Sequence, residues 1–309
     1  MFIKKLTKIF KTKPESPQNN GLYATIEDLI AQRRYAHQTS LSHLHKLTSR
    51  QAGDVKSAFK GRGMEFEEIR AYTFGDDVRD IDWRVTARKQ VPYTKLYNEE
   101  KDREVYVLLD LSPSMLFGTK HELKSVTAAK LTARIGWQSL KNKDRFGCLL
   151  YTGNQVTLLK AQNSQANTML IFKKIADAGK NILKYQEYPI NDNFKKAIHL
   201  LQQSIKNRAI IFIISDFYHF DEETQKLLAQ LKQKTELTCI DVFDCLEKNP
   251  PSAGEYMVQQ GQEQLVFSSQ SQEFCKTYID YFNQKHQKIE TFCRQFKINY
   301  IPHCEKNCG

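Results

Sequence analysis

The sequence lacks any run of apolar residues long enough to cross a bilayer. Nothing approaches the roughly 18 uninterrupted apolar positions of a spanning helix, and the longest such stretch falls within Ala209–Ser215. That stretch is short and β-branched, so it reads as a buried strand. Several enzyme signatures are missing as well. No G-x-x-x-x-G-K-[ST] phosphate loop is present, and no G-x-G-x-x-G follows a strand. There is no G-x-S-x-G nucleophile elbow and no His pair at zinc spacing. Internal repeats and low-complexity segments are absent too. Met1–Lys13 does not read as a secretory leader, because lysines interrupt its apolar residues and no small-residue cleavage site follows.

What is present is ordinary for a chain with a real core. The 309 residues are 40% apolar and 26% charged, which excludes wholesale disorder, collagen and a membrane bundle. The length predicts one large or two modest domains. A formal charge of +11, from 46 basic and 35 acidic residues, permits an acidic protein, anionic lipid or nucleic acid as partner. The basic residues are dispersed among acids with no aromatic–basic recognition motif, so nucleic acid ranks last. Seven unevenly spaced cysteines predict reduced thiols in a cytoplasmic chain.

Residues 1–21 read as a basic tail and linker. Phe2, Ile3, Leu6, Ile9 and Phe10 at helical spacing, with lysines between them, fit peripheral contact with an anionic membrane as well as a plain solubilising tail. Residues 22–103 form a second unit. It opens with a helix placing Leu22, Ile26, Leu29 and Ile30 on one face, capped by Thr25 with Asp28 three residues on. From Gly53 to Arg103 it continues as short strands and turns without a helix. Residues 104–245 alternate strands (Val105–Asp110, Phe146–Tyr151, Ala209–Ser215, Leu237–Phe243) with amphipathic helices. The fold class is therefore α/β, a doubly wound, mainly parallel sheet preceded by a helical and β-rich segment. Residues 246–309 add a hairpin, a long helix from about Ser271 to Phe296 and a last strand near Ile298–Ile301.

Ligands of such sheets bind beyond the carboxyl ends of the strands. Two strands end there in acids, giving Asp110-Leu-Ser112-Pro-Ser114 and Ser215-Asp216. An aspartate followed by hydroxyls two and four residues on points several hard oxygens into one space, which suits Mg²⁺ or Mn²⁺. The alternative is that these side chains only shape the loop and start the next helix.

VLLDLSPSM resembles the metal-ion-dependent adhesion site of von Willebrand factor type A domains. The segment GRGMEFEEIRAYTFGDDVRDIDWRVTARKQVPYTKLYNEE resembles the signature of the bacterial domain-of-unknown-function family 58. Glu65, Arg70, Asp76, Asp77, Arg79, Asp82, Trp83 and Arg88 are among the matching positions. The resemblance implies a von Willebrand A-like fold with Asp110, Ser112 and Ser114 in the first metal loop and Asp216 in the third. A second loop usually offers a threonine five residues before a helical alanine; counting back from Ala197 reaches Asp192 instead. Asp192 is thus either a ligand or the N-cap of the following helix. Members often accompany MoxR-type AAA+ ATPases, so the resemblance implies such an ATPase as protein partner.

Among the remaining clusters, Asp76, Asp77, Asp80 and Asp82 are interleaved with Arg70, Arg79, Arg84 and Arg88. This pattern predicts an ion-paired, turn-stabilising network around Trp83 rather than catalytic carboxylates. His303, Cys304 and Cys308 form too sparse a set for a soft-metal site and read as a mobile tail. An aspartyl-phosphate phosphatase would carry a carboxylate where Ser112 stands. The expected function is a non-enzymatic, metal-dependent protein-binding module. A metal-dependent hydrolase at the same site and a basic membrane or nucleic-acid binder are the alternatives, and no small-molecule substrate is legible.

Overall fold

Hydrophobic continuity in the central strands decides the architecture. The computed structural model describes residues 21–36, 64–74, 76–99, 103–119, 121–184, 193–205, 208–260 and 263–304. Met1–Lys13, Asp192 and Cys308 lie outside them, as does the linker up to residue 20. In chain order the elements are α1 (Ile26–Ala31), β1 (Met64–Ala71), α2 (Trp83–Lys89), β2 (Tyr93–Glu99), β3 (Glu104–Asp110) and α3 (Lys124–Lys141). There follow β4 (Arg145–Tyr151), β5 (Val156–Gln162), α4 (Gln165–Ile182), α5 (Phe194–Ser204), β6 (Ile210–Ser215), α6 (Glu222–Lys234) and β7 (Glu236–Phe243). Last come α7 (Cys245–Lys248), β8 (Glu255–Gln260), β9 (Glu263–Ser268), α8 (Gln272–Gln295) and β10 (Asn299–Cys304).

A six-stranded sheet runs in the order β10-β7-β6-β3-β4-β5. Its strands are parallel except β5, which returns antiparallel to β4. Every residue of β3 and β6 is buried, as expected where helices cover both faces of a parallel sheet. In β3, Val105, Val107 and Leu109 join a core under α1, α3 and α4. Tyr106 and Leu108 join the opposite core under α5, α6 and α8. Each such side chain, fully withdrawn from water, contributes about 1.5–3 kcal/mol. The doubly wound class is the one the strand–helix alternation predicts.

The sheet reaches beyond the 104–245 span drawn from sequence. Asn299–Cys304 pairs with Thr238–Phe243 and forms the edge strand. His303 and Cys304 therefore belong to a strand, not a mobile tail, and neighbours on a strand face opposite sides, which removes them as a joint metal set. Cys148 and Cys239 are buried within β4 and β7, whereas Cys245 is half-buried at the start of α7 and disulfide-bonded.

Thr25 caps α1 as expected. Its hydroxyl accepts from the Asp28 N–H at 3.1 Å, and the Asp28 carboxylate accepts from the Thr25 N–H at 3.0 Å. The helix turns only one apolar edge inward, however. Leu29 is fully buried, while Leu22 and Ile30 are exposed. Its α-helical part is six residues long before the chain tightens into a 3₁₀ turn, too short to bury a broad stripe. The Trp137 indole N–H closes the contact on the Leu29 carbonyl at 3.1 Å.

The signature segment folds as the antiparallel pair β1–β2, with a helix inside their connection that the sequence reading did not anticipate. Asp82 starts α2 by accepting from the Arg84 and Val85 N–H groups, and Gln90, in a left-handed conformation, ends it. Aspartate before an apolar residue is an N-cap signal, obscured here by the charge cluster around it. Trp83 is two-thirds exposed. Arg70 pairs with Asp76 at 2.7 Å, and Lys95 approaches Asp82, the residue before Trp83, at 3.4 Å. Asp77 accepts from the Arg79 N–H, Arg79 and Arg88 are exposed, and the Glu65 backbone lies in β1.

Candidate metal centre

The chain path places the site. From β3 it winds to one side through α3 into β4, and it later returns to the other side of β3 as β6, so the strand order reverses between β3 and β6. Loops diverge at such a point and open a crevice. Asp110 ends β3 and Asp216 follows β6, so the topology alone brings these two carboxylates together.

Local hydrogen bonds then fix the loops. The Asp110 carboxylate accepts from the Ser112 N–H at 2.8 Å, an Asx-type turn, and from the Ser215 hydroxyl at 2.5 Å. The Leu111 N–H prolongs the pairing with β4 by donating to the Tyr151 carbonyl. Pro113–Met115 forms a single 3₁₀ turn with Met115 fully buried beneath it. Gly153 packs on this turn from the β4 side. Its φ is +86°, and a Cβ there would stand 3.1 Å from Pro113 Cδ, so glycine serves both the turn and the close approach. After β6, the Ser215 hydroxyl accepts from the Phe217 N–H and Asp216 Oδ1 from the Tyr218 N–H. These bonds hold the buried Phe217 in a left-handed conformation, φ 50°, a strained state of the kind that clusters at functional sites.

The result is a continuous oxygen array. Ser112 Oγ lies 3.2 Å from Ser114 Oγ, which lies 3.1 Å from Asp216 Oδ1. Asp110, Ser112 and Asp216 are each at most 3% exposed, and the array reaches solvent at Ser114. Asn193, the position that caps α5, donates to the Gly153 and Asn154 carbonyls. The second loop thus ends at the same edge, with Asn193 at the N-cap position of α5 but without a side-chain bond to the helix.

One participant was missed from sequence. Lys124, the first residue of α3, is buried, and its ammonium donates to Asp216 Oδ2 and to Glu247 Oε1, both at 2.8 Å. A visible signal exists in hindsight. A lysine in the first helical turn, with no acid beside it, opposes the helix dipole and needs a carboxylate from elsewhere. Burial penalises the Lys124 ammonium, but Asp216 and Glu247 outweigh this and hold it more firmly protonated than usual. Burial likewise opposes ionisation of Asp216, yet Lys124 and then Lys285 keep its carboxyl below the ordinary range. Among the described residues no cation pairs with Asp110, and burial, followed by the charge of Asp216, pushes it up to about 6.

The donor chemistry fits a small hard cation. Two hydroxyls and a carboxylate oxygen follow one another in contact, with a second carboxylate bonded to the Ser112 N–H. Among the described residues no three His, Cys, Asp or Glu side chains form a metal-holding group, so any cage here depends on the serine hydroxyls. Lys124 works against it by already neutralising part of Asp216.

The model of the family described as "Protein of unknown function DUF58" matches residues 68–288. The chain belongs to this family. Curated relatives include the uncharacterized proteins Rv1480 of Mycobacterium tuberculosis (strain H37Rv) and Mb1516 of Mycobacterium bovis. Each is 27% identical over 214 residues, 69% of this chain and 66% of the relative. The chain thus spans just under two thirds of the length of the curated relatives it matches. Among solved structures, the conserved hypothetical protein BatB from Bacteroides thetaiotaomicron overlaps with a TM-score of 0.40 at 15% identity, covering 66% of this chain and 92% of that one. The SpRpn10 VWA domain overlaps with a TM-score of 0.35 at 13% identity, covering 67% and 90%. Overlaps this slight support no reading of function. Among the described residues of this family member, no helix is long and apolar enough to cross a membrane.

Proposed function

We propose that this DUF58 protein is a non-enzymatic, cation-dependent protein-binding module of the cytoplasm. Its partner is a MoxR-type AAA+ ATPase, which it serves as an adaptor in complex assembly. The observation that carries the reading is the Ser112–Ser114–Asp216 oxygen array at the strand-order reversal, open to solvent at Ser114. Ser112, Ser114 and Asp216 would hold Mg²⁺ or Mn²⁺, with Asp110 orienting Ser112 and Asp192 a further proposed donor. The bound cation would supply one charge-dense centre for a partner's carboxylate. The exposed Trp83, Arg84 and Arg88 of α2 supply a second surface suited to protein contact, since aromatic and arginine side chains are enriched at interfaces.

Nothing in the array favours hydrolysis, for the position two residues after Asp110 carries a hydroxyl and not an acid–base carboxylate. Ser114→Ala is the variant of choice, because Asp110 also fixes Ser112 and Ser215. The wild-type chain should gain melting temperature with millimolar Mg²⁺ and capture the ATPase, both reversed by EDTA. Ser114→Ala should lose the Mg²⁺ response and the capture while melting as the wild type does in EDTA. Capture indifferent to EDTA and to Ser114→Ala would sink the proposal, and Mg²⁺-dependent phosphatase turnover would replace it with the hydrolase reading.

A further inference from the structure

A cavity of about 380 Å³ lies between α8, the end of β7 and Glu247 of α7. It is at the small end of the size range of small-molecule sites. Its walls are aromatic. Phe243 at the end of β7 faces Phe282 with ring centroids 5.2 Å apart, and Phe274, Tyr278 and Tyr281 continue the wall along α8. Of the lining rings, Tyr281 is exposed and Phe282 is buried. The Tyr278 hydroxyl is spent on the Leu246 carbonyl at 2.6 Å, so that ring presents an apolar surface.

The polar lining is asymmetric in charge. Glu247 contributes a carboxylate, but Lys124 already neutralises it from behind. Lys285 contributes the opposite sign, and His286 adds a polar ring. No carboxylate of the described residues sits at contact distance from Lys285, although its charge acts on Asp216. His286 is firmly oriented. Its Nδ1 lies 2.6 Å from Oδ2 of the fully buried Asp241, an oxygen that also accepts from the Tyr300 hydroxyl at 2.7 Å. A carboxylate oxygen only accepts, so Nδ1 carries a proton and Nε2 is the ring nitrogen left for a ligand. An aromatic chamber with a few convergent polar groups is the usual form of a binding site for an apolar molecule with one polar end.

We propose that this cavity binds a small amphipathic anion, an apolar chain or ring bearing one carboxylate, with the apolar body against Phe243, Phe274 and Phe282 and the carboxylate at Lys285. The cavity adjoins the oxygen array through Glu247 and Lys124, and it is tested in EDTA so that the two readings fail separately. Calorimetric titration of the full chain with decanoate, and with decanol as its uncharged counterpart, provides the probe. Decanoate should bind the wild type at least tenfold tighter than decanol. Lys285→Gln should remove most of that preference while leaving decanol affinity unchanged. Thr277→Trp, a bulky replacement at an exposed lining position on α8, should abolish uptake of both, with the melting temperature confirming a folded chain. Equal affinity for the two probes, no uptake of decanoate, or unchanged uptake by Thr277→Trp would each overturn the proposal. Loss of ATPase capture by Thr277→Trp, read separately in Mg²⁺, without any decanoate uptake would also overturn it and assign the chamber to a protein side chain.

Discussion

Charge is handled in opposite ways at the carboxyl edge of the sheet and in the β1–β2 signature hairpin. At the edge, Asp110, Asp216 and Lys124 are almost wholly withdrawn from water, and each hydrogen bond there substitutes for lost hydration. In the hairpin, Arg70–Asp76 and Lys95–Asp82 sit where solvent reaches one or both partners. Arg70, followed by the Thr73 N–H, still holds Asp76 below its usual carboxyl range, but water screens the pair. The lesson is that charged residues sparse in the sequence are gathered by the fold into a buried cluster at the edge, whereas a dense run of them in the hairpin stays at a solvated surface.

The largest test of this contrast is Lys124→Met. It strands Asp216 and Glu247 without their ammonium, and breaking a buried pair this way costs about 3–5 kcal/mol. Urea denaturation should show the loss, and adding Asp216→Asn should recover part of it. A loss no greater than that of a surface substitution would mean that water reaches the cluster after all.

A smaller effect is expected at the part-exposed pair Lys195–Asp221, at the start of α6. Hydrogen bonding from Lys195, then from the Thr224 N–H, lowers Asp221 to about 2. A depressed carboxyl adds stability that is present above its ordinary value of 3.8 and lost as pH falls through about 2. Carboxyl-carbon NMR should record that titration, and Lys195→Met should move it upward toward the ordinary value. The smallest change should come from Asp82→Ala in the hairpin, where the α2 cap is lost. Amide exchange should quicken in Trp83–Lys89 with no measurable shift in the global unfolding midpoint. A global shift would show that the hairpin is welded to the sheet.

Legibility followed the same divide. The alternation of buried strands with amphipathic helices revealed β3, β6, β7 and their crossovers, because continuous apolar runs have few other uses. The serine spacing after Asp110 and the strand-end Asp216 were equally readable. Helix α2 was not, because Asp82 serves as a cap and a charge at once, and the charge pattern dominated. The inward face of α1 was overestimated, because a short helix followed by a tighter turn cannot carry a long stripe. The role of Asn193, one residue beyond the position counted from the family pattern, depended on its contact with Gly153.

By itself the sequence determined which segments become strands and which loops carry oxygen donors, since side-chain periodicity and Asx-turn chemistry act over a few residues. Only the tertiary structure decided that β10 closes the sheet, that Lys124 reaches Asp216 and Glu247, and that Asp241 orients His286 beside an aromatic chamber. Those pairings join residues about 45 to 125 positions apart. Chain folding, and not local preference, sets such distances.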